Sequence, residues 1–513
     1  MKISLSKKGG LPALPEQYKD KAPKSEVLGI MPPEVISEFQ AFIFDKKDNT
    51  FGVAAVNPQN PALQRFLKDN LPEKSRIEWH SATKHNITSV LKFYIRDFSS
   101  EIGALVGVSK FESNGNIAKL VDTIIDYGFS EKASDIHIEP LRYETAVRFR
   151  VDGMLHPMAS IPRDIHPAVV ARFKILSNLK IDEYRRPQDG RIEPEHIPDA
   201  SLRISIIPTL YGEKIALRIL DDSHKNLMLQ NLGFSEKQAD ILMRNIEKPF
   251  GMIVTSGPTG SGKTTTLYAL LQLLKKDGMN ISTLEDPIEY ALAGVNQIQA
   301  NVSVGLTFAS GLRALLRQDP DVIMVGEIRD SETVIMAANA AMTGHLVFTT
   351  MHTNDAPSAF TRFLEMKVED FVVASIVNLV IAQRLVRTVC ESCAEKDVLP
   401  EAIVKKIRER KDILNILEEE HGIKGDGLAH HKFARGKGCK ACLKTGYLGR
   451  TGIYEVLEMN KEIHTLVLNH APAEKIREAA QKAGFVDMLS DGIKKVMDGS
   501  TTFEEVLRTT RLT

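Results

Sequence analysis

Gly257-Pro-Thr-Gly-Ser-Gly-Lys-Thr264 is the stretch that decides how the rest of this chain is read. It follows an apolar, strand-like run, Met252–Thr255, and opens a helical run, Leu267–Leu274. Between a strand and a helix, glycines let backbone N–H groups wrap an anion while the helix N-terminus adds a favourable dipole. On that reading Gly257, Pro258, Thr259, Gly260, Ser261, Gly262, Lys263, Thr264 and Thr265 line a nucleotide site. Lys263 reaches the β- and γ-phosphates and Thr264 offers its hydroxyl to Mg²⁺, so the chain is expected to bind and hydrolyse a nucleoside triphosphate. The alternative, a plain glycine-rich turn, does not account for the strand and helix on either side.

The chain has 513 residues, enough for roughly three domains with separate cores. Its formal net charge is zero, which argues against a bulk electrostatic grip on nucleic acid or an anionic membrane. The best candidate for a bilayer span, Val372–Val386, is interrupted by Asn378, Gln383 and Arg384. Lys7 and Lys8 stand where a signal peptide would place its apolar core, so a soluble chain with a cytoplasmic address is expected.

All four cysteines fall in Cys-x-x-Cys pairs, Cys390 with Cys393 and Cys439 with Cys442. In a reducing compartment this spacing suits a closed four-thiolate Zn²⁺ site of structural type, with free or redox-active thiols as the alternative. The interval 394–438 is long for a zinc ribbon, but two separate knuckles can meet in space. Arg387, Lys437 and Lys440 are placed to offset the thiolate charge.

Residues 1–25, rich in Lys and Pro without periodicity, read as a disordered tail. Over 26–98, helical Pro33–Gln40, strand-like Phe51–Val56 and helical Asn60–Asp69 predict a short N-terminal α/β domain, and 99–115 reads as a linker. Over 116–222, helical spacing from Ile117 to Tyr127 gives way to alternation through Ile136, Ile138, Ala146, Arg148 and Arg150. A helix at Ala168–Leu176, a loop at Arg185–Asp189 and strands at Ser201–Ile207 and Lys214–Leu220 complete a small α+β domain. A linker, 223–235, leads to the nucleotide domain, 236–513, with its cysteine subdomain over 387–458 and C-terminal helices over 459–513.

In the nucleotide domain three more apolar strands end in polar tips: Ile281–Leu284 before Glu285, Val322–Val325 before Gly326 and Glu327, and Leu346–Thr349 between His345 and His352. Alternating strands and helices imply a mostly parallel sheet, whose ligands gather at the carboxyl edge. Hydrolysis needs a carboxylate to aim a water at the γ-phosphorus. Glu327 is the first choice and Glu285, acting through metal-bound water or else simply ion-paired to an arginine, the second. No Asp precedes Glu327, so the usual Mg²⁺ carboxylate is displaced. His345 or His352 is a candidate γ-phosphate sensor, against the plainer role of a satisfied core histidine.

These blocks, with Ala133–Pro140, Arg148–Gly153, Arg185–Arg191 and Cys439–Glu455, resemble the hexameric ATPases that drive type II secretion and type IV pilus assembly. The resemblance spans 117–508. It implies a RecA-like P-loop motor preceded by a PAS-like α+β domain, and a homo-hexamer using ATP and Mg²⁺. Nucleotide would sit between the motor and the preceding domain, with Arg148, Arg186, Arg191 and Arg203 at the family's arginine positions. It further implies work on an inner-membrane platform protein and recruitment to the inner face of the cytoplasmic membrane through partners only, with no nucleic-acid partner. Competing readings are a nucleic-acid-translocating ATPase on the same fold and a pilus retraction ATPase. No Arg-Leu-Gly opening for cyclic di-GMP is present. The charged segment between the cysteine pairs reads as an inserted, solvated helix, and the C-terminal helices pack either on a neighbouring subunit or on their own chain. Arg191→Ala is expected to leave ATP binding nearly intact while cutting turnover by orders of magnitude. A binding titration beside a phosphate-release assay checks this, and unchanged turnover rejects the assignment.

Overall fold

A computed structural model describes residues 33–72, 75–83, 86–87, 114–194, 200–221, 228–276, 278–425 and 427–510, with isolated positions before 33, between 101 and 106 and at 197. The expected tail 1–25, the linker 99–115 and the start of the linker 223–235 lie largely outside the described residues. The chain divides into two compact units. One comprises Met1–Asp221 with Cys390–Glu395 and Gly436–Leu448; the other comprises Asp222–Val389, Lys396–Arg435 and Gly449–Thr513.

The first unit holds two sheets. A small one has the order β1-β4-β3-β2, built from β1 (Lys2–Ile3), β2 (Ala41–Lys47), β3 (Thr50–Ala55) and β4 (Arg76–Ser81). The crossover from β3 to its parallel partner β4 runs through the helix Pro61–Asn70. That helix starts where Asn60 accepts from the Ala62 N–H and Pro61 presets the first turn. Phe42, Phe51, Leu63, Leu67 and Trp79 fill the core beneath it.

The larger sheet is six-stranded and antiparallel, order β7-β6-β5-β10-β9-β8: β5 (Asp135–Pro140), β6 (Glu144–Val151), β7 (Met154–Pro162), β8 (Gln188–Ile192), β9 (Ala200–Thr209) and β10 (Gly212–Asp221). Period-two alternation sends Ile136, Ile138, Phe149, Ile204, Ile206, Ile215 and Leu217 into a core with the helices Asn114–Ser130 and His166–Leu176. The opposite face carries the charged residues. One expectation needs correcting: residues 188 and 189, read as loop, begin the edge strand β8. The turn before it is held by buried Lys174, whose Nζ donates to the Glu183 carbonyl at 2.7 Å and pairs with Glu213 at 2.8 Å.

A seven-stranded sheet forms the second unit, order β13-β12-β14-β15-β11-β16-β19. Its strands are β11 (Gly251–Ser256), β12 (Ile281–Glu285), β13 (Asn296–Gln299), β14 (Val322–Val325), β15 (Leu346–Met351) and β16 (Val377–Val389); after the ribbon β17 (Ala394–Val398) and β18 (Lys432–Gly436) comes β19 (Tyr447–Glu458). From β13 to β16 neighbouring strands are parallel. Helices cover both faces: Glu236–Ile246 and Lys263–Leu274 on one, and Phe308–Leu315, Ser331–Met342, Pro357–Glu365 and Asp370–Ile376 on the other. Hence β11, β12, β14 and β15 are buried on both sides and read as continuous rather than alternating apolar runs. The stretch 372–386 is helix followed by strand, and no helix among the described residues is long and apolar enough to cross a membrane. Residues 228–235 are not free linker, since Leu229 and Phe234 lie in a hydrophobic core of the second unit.

The segment between the cysteine pairs departs from expectation. It forms two helices, Glu401–Arg408 and Lys411–His421, not one. Their charges face outward, but Val404, Ile407, Ile413 and Leu417 build a core with Ile493, Val496, Phe503 and Val506 of the C-terminal helices Met488–Met497 and Phe503–Thr510. The C-terminal helices therefore pack on their own chain, and the insertion is part of that packing rather than a solvated arm. Arg387, read as a counter-charge for the thiolates, instead pairs with buried Glu505 at 2.7 Å; Lys437 pairs with Glu395.

Burial alone would raise the Glu505 pKa, but Arg508, the Arg387 guanidinium and the Arg387 backbone N–H hold it down to about 2. A carboxyl depressed on folding contributes stability that is complete above its unfolded pKa and disappears as pH falls through the folded one. Glu505→Gln should therefore cost about 3 kcal/mol at pH 7. Denaturant melts of both proteins at pH 7, 4.5 and 3 should show that difference shrinking between pH 4.5 and 2; a gap independent of pH would reject the account.

Candidate functional site

Strand β11 delivers the chain into the glycine-rich loop at the carboxyl edge of the sheet. Gly262 sits at φ +86° immediately before the helix Lys263–Leu274, a left-handed position that side chains other than glycine rarely adopt. Lys263 Nζ folds back on the loop, donating to the carbonyls of Gly257 at 2.8 Å and Pro258 at 3.1 Å. Burial lowers its pKa, and the negative charge of Glu327 opposes that shift. Ser261 Oγ is buried with no partner among the described residues, while Thr264 and Thr265 lie half-buried on the first helical turn. An unpaired buried hydroxyl, a buried ammonium and a glycine-lined helix start suit a polyphosphate better than they suit a core. Ser256 ties the end of β11 to the run after β15 through a bond to the Thr353 carbonyl at 2.8 Å.

Glu327 stands just past β14, held between its neighbours: the Ile328 N–H donates to the Thr350 carbonyl, and Thr350 Oγ1 to the Gly326 carbonyl at 2.7 Å. Its carboxylate pairs with Arg329 at 2.5 Å and lies 3.7 Å from His352 Nε2. The structure thus brings together Lys263, Glu327 and His352. It separates His345, which precedes β15 at the amino edge of the sheet, a strand length of about 20 Å from the phosphate loop. His345 Nδ1 is 2.9 Å from the Ala340 carbonyl and closes the helix Ser331–Met342, a structural bond.

Glu285 ends β12 almost wholly buried and has no arginine partner among the described residues. Tyr268 Oη and Thr283 Oγ1 donate to it, the latter at 2.6 Å, and Gln297 Nε2 lies at 3.3 Å. Burial raises its pKa against these bonds. Its position explains the glycine before Glu327: a Cβ at Gly326 would come within 3.2 Å of Glu285 Cα and 3.5 Å of its Cγ. A side chain at this strand end would need its neighbours to give by a few tenths of an ångström, and the nearest buried carboxylate is Glu285 on the adjoining strand.

The arginines all belong to the first unit. Arg191 and Arg203 are cross-strand neighbours on the charged face of the six-stranded sheet, and Arg203 in turn neighbours Arg218. Arg148 pairs with Glu139 at 2.6 Å, Arg191 reaches Glu193 and Ser201 Oγ, and exposed Arg186 only grazes Glu183 at 4.0 Å. Arg218, absent from the sequence reading, binds Asp135 at 3.2 Å.

The two cysteine pairs meet. All four Sγ atoms lie within 4.8 Å of one another, with Cys390–Cys439 and Cys393–Cys442 at 3.9 Å and Cys439–Cys442 at 3.7 Å. A disulfide would bring sulfurs to about 2.05 Å. Tetrahedral bonding at about 2.3 Å to Zn²⁺ sets sulfurs near 3.8 Å apart, the observed spacing. Without a bound cation, burial and the other thiols push Cys390 up, and burial pushes Cys393 up to about 11. Cys442 goes down despite burial, since the Cys439 and Gly446 N–H groups donate to its sulfur at 3.1 and 3.2 Å.

A lysine-ended anion loop, with carboxylates at neighbouring strand tips of a doubly wound parallel sheet, is the working end of a P-loop triphosphatase motor. The family described as type II/IV secretion system protein matches residues 110–508. The chain is 36% identical over 528 residues to the type IV pilus assembly ATPase PilB of Myxococcus xanthus, covering 99% of this chain and 90% of that one. It is 42% identical to the type II secretion system protein E of Pseudomonas aeruginosa, covering 78% and 76%. Among solved structures, the Legionella pneumophila ATPase DotB superposes with TM-score 0.55 at 20% identity, over 76% of this chain and 95% of that one. The pilus retraction motor PilT with ADP gives 0.50 at 24% identity, over 75% and 95%. These two likenesses speak to the fold alone. The chain belongs to the type II/IV secretion system family and is an ATPase.

Proposed function

We propose that the chain powers assembly of a type IV pilus or a type II secretion pseudopilus, as a ring of six at the inner face of the cytoplasmic membrane. In this role it works on a platform protein of that membrane and on no nucleic acid. The observation that carries the catalytic part is the Glu327 carboxylate at the carboxyl edge of the parallel sheet, 3.7 Å from His352 Nε2, at the edge where the phosphate loop holds the buried Lys263 ammonium. The names of the assembly ATPases covering most of this chain support the biological part.

ATP supplies the phosphoanhydride whose cleavage releases the free energy, with Mg²⁺ to screen its charge. Lys263 releases the loop carbonyls to pair with phosphate oxygens, and the loop N–H groups hold the rest of the anion. The Thr264 hydroxyl is the metal ligand nearest the loop. Glu327 orients the attacking water; Arg329 grips its carboxylate and His352 stands across it, placed to register the γ-phosphate. Glu285, buried and bonded to Tyr268 and Thr283, backs the metal side of the site. Arg148, Arg186, Arg191 and Arg203 supply the guanidinium charge that spreads over the transition state. Cys390, Cys393, Cys439 and Cys442 hold a structural Zn²⁺, whose closed coordination leaves no position for substrate.

Glu327→Gln should retain ATP and lower turnover about a hundredfold or more. Nucleotide retained after gel filtration, alongside steady-state phosphate release, checks this; brisk hydrolysis by the variant contradicts the assignment. Protein purified without chelator should carry one zinc per chain by elemental analysis, and Cys439→Ser should lose both the metal and several degrees of melting temperature. A metal-free preparation with the unsubstituted melting temperature would reject the zinc site.

A further inference from the structure

Strand β16 is long, and its parallel register with β11 pairs Ala382 with Ser256, so Gln383 lies alongside the first residue of the phosphate loop. Gln383 is buried, 1% exposed, between apolar Ala382 and buried Arg384. Its Nε2 donates to the Ser261 carbonyl at 2.6 Å, and its Oε1 accepts from Thr266 Oγ1 at 2.8 Å. A carbonyl can only accept, so the amide has one satisfiable orientation. The approach is close: a Cβ at Gly262 would meet the Gln383 Nε2 at 3.1 Å, and one at Gly257 would meet the backbone carbonyl oxygen of Gln383 at 2.4 Å.

We infer that Gln383 is a positioning residue for nucleotide phosphate, acting through the loop backbone without touching the ligand. The inference rests on the motor reading above. In a trans peptide the C=O and the following N–H point in opposite directions. Drawing the Ser261 carbonyl toward β16 therefore turns the Gly262 N–H away from β16, where it can serve as an anion donor. The same amide grips Thr266, one turn into the helix, and so fixes the loop relative to the helix start that receives the phosphates. Water cannot substitute readily at a site this buried, so deleting the amide leaves both the Ser261 carbonyl and the Thr266 hydroxyl to find new partners.

The test uses full-length protein with MgADP as the binding probe and ATP as substrate. Gln383→Met keeps the length and removes the hydrogen bonds; Gln383→Asn keeps the amide but is too short to span both partners, and serves should the first variant fail to fold. Expected for either is about tenfold weaker MgADP binding and a similar rise in KM for ATP, with kcat within about threefold. The melting temperature without nucleotide should stay within a few degrees, which a merely structural role would not spare. MgADP affinity within twofold of the unsubstituted protein in both variants overturns the inference while leaving the motor reading standing. Failure of the unsubstituted chain to bind MgADP overturns both.

Discussion

A parallel sheet covered by helices on both faces has no wall on which to place charge, and this constraint organises the second unit. Its strands β11, β12, β14 and β15 are buried along their whole length, so most of the polar chemistry gathers at the strand tips and the turns that leave them. The phosphate loop, Glu285, Glu327 and the run His352 to Asp355 all emerge from the carboxyl edge for that reason. His345, at the other edge, belongs to the same strand yet is held out of the chemistry by the strand's length.

Confinement to one edge forces the polar groups against one another. Glu285 is satisfied by Tyr268, Thr283 and Gln297, and its backbone lies so near Gly326 that a Cβ there would come within 3.2 Å of it. Glu327 is braced by Arg329 and His352. Behind them buried Glu455 accepts from the Ala356 N–H at 2.8 Å, and Arg477 bridges Glu455 and Asp355 at 3.4 and 3.0 Å. That bridge joins the segment after β15 to the helix Ala473–Lys482. Through Ser256 and Thr353 the chain of contacts begins at the phosphate loop. A chain of polar contacts thus runs from the end of β11 to the C-terminal helices, whose outer pair packs on the insertion between the cysteine knuckles.

The first unit solves a different problem. Its six-stranded antiparallel sheet has one face against two helices and one free for charge, and cross-strand register lines up Arg191, Arg203 and Arg218 in a row. Spacing along the chain gives no hint of that row, because the three arginines come from three strands.

What the sequence by itself determined was everything written in contiguous residues. The phosphate loop between its strand and helix, the buried strands of the nucleotide domain and the two Cys-x-x-Cys pairs follow from local periodicity, cysteine spacing and the backbone freedom of glycine, and the structure has these where they were read. The insertion was misjudged because charge was counted along the chain, whereas burial depends on which helical face each residue occupies; Val404, Ile407, Ile413 and Leu417 share a face that only the C-terminal helices cover. Tertiary structure alone set the two histidines at opposite edges of the sheet, and gave Arg387 its partner, Gly326 its close neighbours and Gln383 its grip on the loop. Each of these depends on strands and helices far apart in sequence coming side by side, and side-chain hydrogen bonding, effective only within about 3 Å, is settled by that approach and not by the order of residues.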